Sequence, residues 1–328
     1  MKFFSNKTVI SATLLAAGVM ALGTAGAQAA YPARPIRLVV SQQAGGSTDS
    51  VARLWAEKVG KLMNATVLVE NKPGADGAIA AQAVLSQPAD GYTLFLAGVS
   101  QMVLNKFVYK PLAYSPENDF VGVALLTTVP FTLVANPSAG FKTFDEFKAA
   151  AKARPGHLNF ASSGNGNSTH LVVEMVQKQA GISMTHVPFK GEPDGVMATA
   201  SGQTQVMAPV LSTALPLIKA GRLTPLVLFG AVRSPDLPTV PTAAEVGLTG
   251  LENIGWSGVA AKAGTPAAVI EKLHAATQKM LDDPDTIRKL NDMQVQPMKG
   301  ASTELMRLTV RDTAKWQEAI GNLDLNVK

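Results

Sequence analysis

The chain contains no cysteine. That excludes disulfides, thiol nucleophiles, iron–sulfur clusters, cysteine zinc sites and a lipid attached to a cysteine behind a leader. Histidine is nearly as scarce. His157, His170, His186 and His274 are the only four in the 328 residues, and none stands in a His-Glu-x-x-His pair. His274, between Leu273 and Ala275 in a helical stretch, reads as structural. Trp (3) and Tyr (4) are few, which argues against a sugar site built on stacking. Only 16% of residues are charged, and no Lys/Arg run is interleaved with aromatics, so a nucleic-acid partner is disfavoured. No Walker A loop or Gly-x-Ser-x-Gly elbow occurs. Ser163-Gly164-Asn165-Gly166 has the first two glycines of a dinucleotide fingerprint but lacks the third. Neither cofactor nor metal is called for, and internal repeats and low-complexity segments are absent.

What is present is apolar bulk. Hydrophobic residues make up 47% of the chain, and the length suits about two domains whose stability comes from packing. Residues 1–29 read as a secretory leader: Lys2 and Lys7 form its positive end, Val9 to Gly26 is apolar or small, and Ala27-Gln28-Ala29 has the shape of a cleavage site. Cleavage before Ala30 leaves 27 basic against 24 acidic residues. No later apolar run reaches spanning length. The expected product is periplasmic, free of a lipid anchor and monomeric.

The strongest local pattern is Ile36 to Asp49. Ile36, Leu38, Val39 and Val40 form an apolar run expected of a strand covered on both faces. Gly45 and Gly46 suit a tight turn, and Ser47, Thr48 and Asp49 suit a helix start. The helix is expected to bury Val51, Ala52, Leu54, Trp55, Val59 and Leu62. Such a turn aims backbone N–H groups at one point and makes a seat for an anion. Arg37 and Arg53 flank it but read as structural.

Short apolar runs then alternate with amphipathic stretches, the α/β pattern. Strands are expected over 66–69, 92–97, 131–135, 157–161, 185–187, 206–208, 226–229 and 254–260. Thr143 to Glu146 and Thr242 to Glu245 read as capping boxes. Thr265-Pro266 and Asp283-Pro284 read as helix starts with proline at the first position. A last helix is expected from about Thr303 to Asn322. The strand after His157 runs into Ser162, Ser163, Gly164, Asn165, Gly166, Asn167 and Ser168, then a helix. This repeats the opening logic about 120 residues later and suggests two domains, each offering one seat to a shared cleft. His170 is placed to back-bond the second loop, orient it or touch a ligand. An exported enzyme would need a general base, for which His170, Asp49 and Asp194 are the candidates.

Taken in order, several motifs resemble the periplasmic solute-binding proteins of tripartite tricarboxylate transporters, the Bug family. They are Tyr31-Pro32-x-Arg34-Pro35-Ile36-Arg37-Leu38-Val39-Val40, Ala44-Gly45-Gly46-x-x-Asp49-x-x-Ala52-Arg53 and Val69-Glu70-Asn71-Lys72-Pro73-Gly74. Pro88 to Leu94, Ser162-Ser163-Gly164-x-Gly166 with His170-Leu171 and Glu174, and His186 to Gly191 follow. Pro238-x-Val240-Pro241-Thr242-x-x-Glu245-x-Gly247 and Gly264-Thr265-Pro266 complete the set.

The resemblance implies an α/β, two-domain periplasmic-binding-protein (Venus-flytrap) fold, each domain a mixed sheet flanked by helices. Domain 1 would be 30–130 with 255–328, and domain 2 would be 131–254. It implies no enzyme but a receptor for a small organic acid, gripped by main-chain and hydroxyl donors. Carried onto this chain, the first seat is Ser41, Gln42, Ala44, Gly45, Gly46, Ser47, Thr48 and Asp49 with Ser100. The second is Ser162 to Ser168 with His170 behind it and Asp194 or Pro209 nearby. The partners implied are membrane permease subunits, with a sensor kinase as the alternative. Where many relatives have proline and an aromatic, this chain has Ser41 and Gln42. That favours a ligand with its own amide, amine or hydroxyl, and Asp76, where small residues are common, points the same way.

Overall fold

The computed structural model describes Met1, residues 31–252 and residues 255–320. The expected leader and its cleavage point fall outside the described residues except for Met1, as do Ile254 and Asn322. Among the described residues the strands are β1 (Ile36–Val40), β2 (Val67–Asn71), β3 (Thr93–Gly98), β4 (Phe120–Thr128), β5 (Thr132–Ala135), β6 (Asn159–Ser162), β7 (Thr185–Pro188), β8 (Val206–Met207), β9 (Thr224–Leu228) and β10 (Trp256–Lys262). They form two five-stranded sheets, ordered β2-β1-β3-β10-β4 and β7-β6-β8-β5-β9.

In the first sheet β1 pairs parallel with β2 and β3, while β10 runs antiparallel between β3 and β4. Ile36, Leu38, Val39 and Val40 are fully buried, as their nearly continuous apolar run predicts. Helix α1 (Ser47–Met63) covers this sheet with Val51, Ala52, Leu54, Trp55 and Val59. Leu62, expected on the same face, is 50% exposed, one turn past the packing seam. The buried Trp55 indole donates to Thr277 Oγ1 at 3.0 Å, which satisfies its N–H.

Helix α2 (Ala78–Leu85) follows a tight loop. The patterning assigns no element between Ser100 and Phe131. The structure has a π-helical turn there at Ser100–Leu104, the short helices α3 (Asn105–Val108) and α4 (Pro116–Asp119), and β4. β4 lacks alternation because every residue except Val121 and Thr128 is buried.

The second sheet has β6 parallel to β7 and β8, with β5 antiparallel to β8 and β9. Helices α5 (Phe144–Ala153), α6 (Ser168–Ala180), α7 (Glu192–Ala200) and α8 (Leu211–Lys219) pack around it. Both expected capping boxes form, at Thr143/Glu146 and Thr242/Glu245, the second around a single 3-10 turn. The chain ends in α9 (Ala267–Asp282), α10 (Pro284–Asp292) and α11 (Glu304–Ile320). Pro266 is the residue before α9, not its first. α10 starts with Asp283 capping and Pro284 at the first position.

The chain crosses between the sheets at 129–131 and again after β9. The two crossing segments touch: Val129 N donates to Gly255 O at 2.8 Å, and Phe229 N to Phe131 O at 2.9 Å. A Cβ on Gly255 would lie 2.3 Å from Val129 O, so the residue there must be small.

Candidate ligand-binding site

The carboxyl ends of the parallel strands in each sheet open into loops, the place where α/β sheets bind ligands. In the first lobe, β1 ends at Ser41, which is 6% exposed and donates to Gln42 Oε1 at 2.9 Å. Gln42, Ala44, Gly45 and Gly46 form the exposed turn. Gly45 has φ +86°, a conformation suited to glycine. Gly46 has ordinary extended backbone with space around its Cα and precedes α1 without a side-chain cap. Ser47, Thr48 and Asp49 make the first turn of α1, so its amide groups point outward unpaired by any capping side chain.

Asp49 is 3% exposed and turns back into the fold. Its carboxylate accepts from Gly45 N (2.9 Å), Arg53 Nε (2.8 Å) and Asn71 Nδ2 (3.0 Å). Burial alone would raise its pKa, but these hydrogen bonds outweigh it and hold the carboxyl below its usual range. Asp49 therefore braces the turn, and Asn71 ties it down further by donating to Gln42 O at 3.0 Å. Arg37 pairs with Glu70, so both arginines serve structure, as their strand and helix phases predict.

In the second lobe, Asn167 caps α6 and accepts from Thr169 N at 3.0 Å. Ser163 Oγ donates to Asn167 Oδ1 (2.8 Å), and Ser163 N donates to Thr169 Oγ1 (2.9 Å). Ser162 is fully buried. Its Oγ lies 2.6 Å from His186 Nε2 and accepts from Gly164 N. Behind the loop, His170 and His186 stack with centroids 3.8 Å apart, next to Phe160. His170 Nδ1 accepts from Gly166 N at 3.0 Å, so its proton sits on Nε2, towards Glu174 at 3.4 Å. The ring orients the loop. Burial pushes His186 down to about 4, helped by the neighbouring His170. Asn165 is exposed and Ser168 half-buried.

Ser100 starts the π turn at 8% exposure. Asp194 is exposed in the first turn of α7, and no hydrogen bond joins it to the 162–168 loop among the described residues. Pro209 is buried, with its carbonyl accepting from Thr132 N at 3.0 Å.

The lobes meet where Asn167 and Gly166 of the second seat face Asp76 and Val108, of which only Val108 is passed over by the sequence pattern. Asn167 Nδ2 donates to Asp76 Oδ1 at 3.0 Å, across the gap. A Cβ on Gly166 would come within 2.3 Å of the Val108 methyl groups. Asp76 lies in the loop before α2. Ala75 and Asp76 both have φ +46°, between two glycines that also have positive φ. Gln101 holds this loop by donating to Asp76 O at 3.0 Å while accepting from Gly98 N at 3.0 Å. A Cβ on Gly77 would touch Ser41 Cβ at 2.8 Å, so the loop adjoins the first seat. Burial drives the Asp76 carboxyl up to about 6, only partly offset by Asn167.

Elsewhere in the second lobe, Glu192 Oε1 accepts from Val210 N at 3.1 Å, and burial raises its carboxyl to about 7. The signal for Asp76 is an acid between glycines at 74 and 77. For Glu192 it is an acid before a proline at a helix start. Gln101 and Val108 carry no local signal. No group of three or more His, Asp or Glu side chains among the described residues is placed to hold a metal.

The family described as the tripartite tricarboxylate transporter family receptor matches residues 51–325. The chain belongs to that family. Solved relatives of the receptor agree with it in fold. One is Rpa4515 of R. palustris with adipate (30% identical, TM-score 0.83, covering 89% of this chain and 97% of that one). Another is MatC of Rhodopseudomonas palustris with bound malate (31%, TM-score 0.80, 88% and 100%). A third is the periplasmic binding protein BugD (28%, TM-score 0.80, 91% and 100%). The receptor thus has the two-lobed α/β fold of periplasmic binding proteins that its motifs imply, and its family and solved relatives are solute-binding proteins.

Proposed function

We propose that this receptor captures a small organic carboxylate between its lobes in the periplasm and presents it to the permease subunits of a tripartite transporter. The observation that carries the reading is the convergence of two strand–loop–helix turns, 41–49 and 162–168, on the seam marked by the Asp76–Asn167 hydrogen bond. The 41–49 turn offers backbone N–H groups and hydroxyls, which bind a carboxylate without a fixed cation, while the 162–168 turn spends most of its donors on its own bracing and faces them as a rigid wall. The relatives solved with adipate and malate support the ligand class. The lobes divide as 30–130 with 255–328 against 131–254, and pivot where Val129 meets Gly255. Affinity comes from converging charge-assisted hydrogen bonds in a cleft that closes around the acid, and no bond is broken.

A thermal-shift screen of the mature protein over organic acids, amino acids and nicotinic-type compounds tests this. A carboxylic acid should raise the melting temperature and give a one-to-one plateau by calorimetry, with the acid recovered unchanged. Failure of every carboxylic acid to stabilise the protein, or turnover of the bound one, would overturn the reading.

A further inference from the structure

Asp76 is a carboxylate with very few donors around it. Its Oδ1 accepts one hydrogen bond, from the neutral amide of Asn167. That amide has no freedom to turn over, because Asn167 Oδ1 already accepts from Ser163, Ser168 and Thr169. Among the described residues Asp76 makes no ion pair, and Arg53, the basic side chain bonded within the neighbouring 41–49 turn, is engaged by Asp49. An ionised carboxylate has room for about four donors, so most of this group's acceptor capacity is unused. Beside it a second acceptor is idle: Asn105 is 0% exposed, and its Oδ1 has no partner. Its amide nitrogen is occupied by Asp76 O (3.2 Å) and Tyr114 Oη (3.1 Å), which fixes its orientation.

The backbone points the same way. Two consecutive non-glycine residues, Ala75 and Asp76, are held in the left-handed region. Each costs about 1 kcal/mol or more, and such outliers persist where the surroundings enforce a functional geometry. Here the enforcing contacts are the hydrogen bonds from Gln101 and Asn105 to Asp76 O, which leave the carboxylate facing the second lobe.

We propose that Asp76 is a specificity-determining residue that receives the ammonium group of the ligand, so that the receptor selects carboxylic acids bearing an amine over plain dicarboxylates of the same length. This rests on the proposed capture of a carboxylate in the same cleft. The carboxylate of such a ligand is held by the turn amides, and its ammonium supplies Asp76 with the charged donor that the protein itself does not provide. A plain dianion brings a like charge to the same spot with no cation to offset it. Charge-assisted hydrogen bonds are roughly twice as strong as neutral ones, so the discrimination is about tenfold or more in affinity.

The test uses three pairs differing by one amine: succinate and L-aspartate, glutarate and L-glutamate, adipate and L-2-aminoadipate. Calorimetry on the mature wild type should show the amine-bearing member of at least one pair binding about tenfold or more tightly than its partner. Asp76→Asn keeps the side-chain shape and tolerates left-handed backbone. It should abolish that preference while the plain member binds as well or better. Equal or reversed affinity in the wild type overturns the inference and leaves the carboxylate receptor standing, as does an unchanged preference in Asp76→Asn. If none of the six binds while another carboxylic acid does, the inference falls alone. If no carboxylic acid binds at all, the proposed function falls with it.

Discussion

Glu192 joins the start of α7 to the start of α8 through Val210 N, and its raised pKa sets a pH dependence. The folded-state value of about 7 stands above the ordinary 4.5, so the folded chain holds this proton more tightly than the unfolded one. Its contribution to stability is fully present below 4.5 and is lost as pH rises through 7. Glu192→Gln removes that loss and should stabilise the protein at pH 8 by about 2 kcal/mol relative to wild type, with little difference at pH 4. Denaturant melts of both proteins across that range check it. His186 acts in the opposite sense, because its depressed value makes acid destabilising below 6.5. The sequence showed His170 and His186 as isolated imidazoles. Their stacking depends on α6 lying over β7, which no local spacing encodes.

The turn between β1 and α1 was legible because everything that makes it is local: an apolar run, two glycines and an acid four residues on. Even so, the work is divided otherwise than the pattern suggests. Gly45 alone takes the left-handed backbone, Gly46 has room to spare, and Asp49 faces inward to brace the turn. Asp49→Ala frees Gly45 N and Asn71 Nδ2 together and should cost about 1–3 kcal/mol in denaturant unfolding. Arg53, which is 56% exposed, then returns to water at little cost. β4 and the π turn were not legible. A strand buried along nearly its whole length lacks alternation, and a π turn leaves no periodic trace. The π turn supplies Gln101 and α3, just beyond it, Val108, so these two parts of the lobe contact carried no signal, whereas Asp76, Gly166 and Asn167 did.

At the scale of the whole molecule, the two lobes come closest to touching where Gly166 faces Val108. Gly166→Val adds bulk there and strains a φ of +73°. It should weaken binding of whichever acid the wild type takes by about tenfold or more, while unfolding stays a single cooperative transition. Adding Val108→Ala relieves the clash but not the backbone strain and should restore part of the affinity. Titration calorimetry of the single and double variants distinguishes these terms. Unchanged affinity in Gly166→Val would mean that the lobes need not approach at this point to hold ligand. The two-sheet plan was legible because strand–loop–helix units recur, and the resemblance ordered them. The seam was not, because it joins residue 76 to 167 and 108 to 166.

The position of β10 has a consequence for how the molecule is born. That strand fills the slot between β3 and β4, yet it is synthesised after the entire other sheet. A nascent chain has its first four strands long before the wedge that unites them exists, and β3 must wait with one edge unsatisfied. The last-made quarter of the polypeptide is thus the keystone, and contacts of such long sequence separation form slowly. Any truncation that ends before residue 256 leaves an unfinished first lobe beside a second lobe that already holds all its strands. A full-length chain, by contrast, remains threadable until its final stretch arrives.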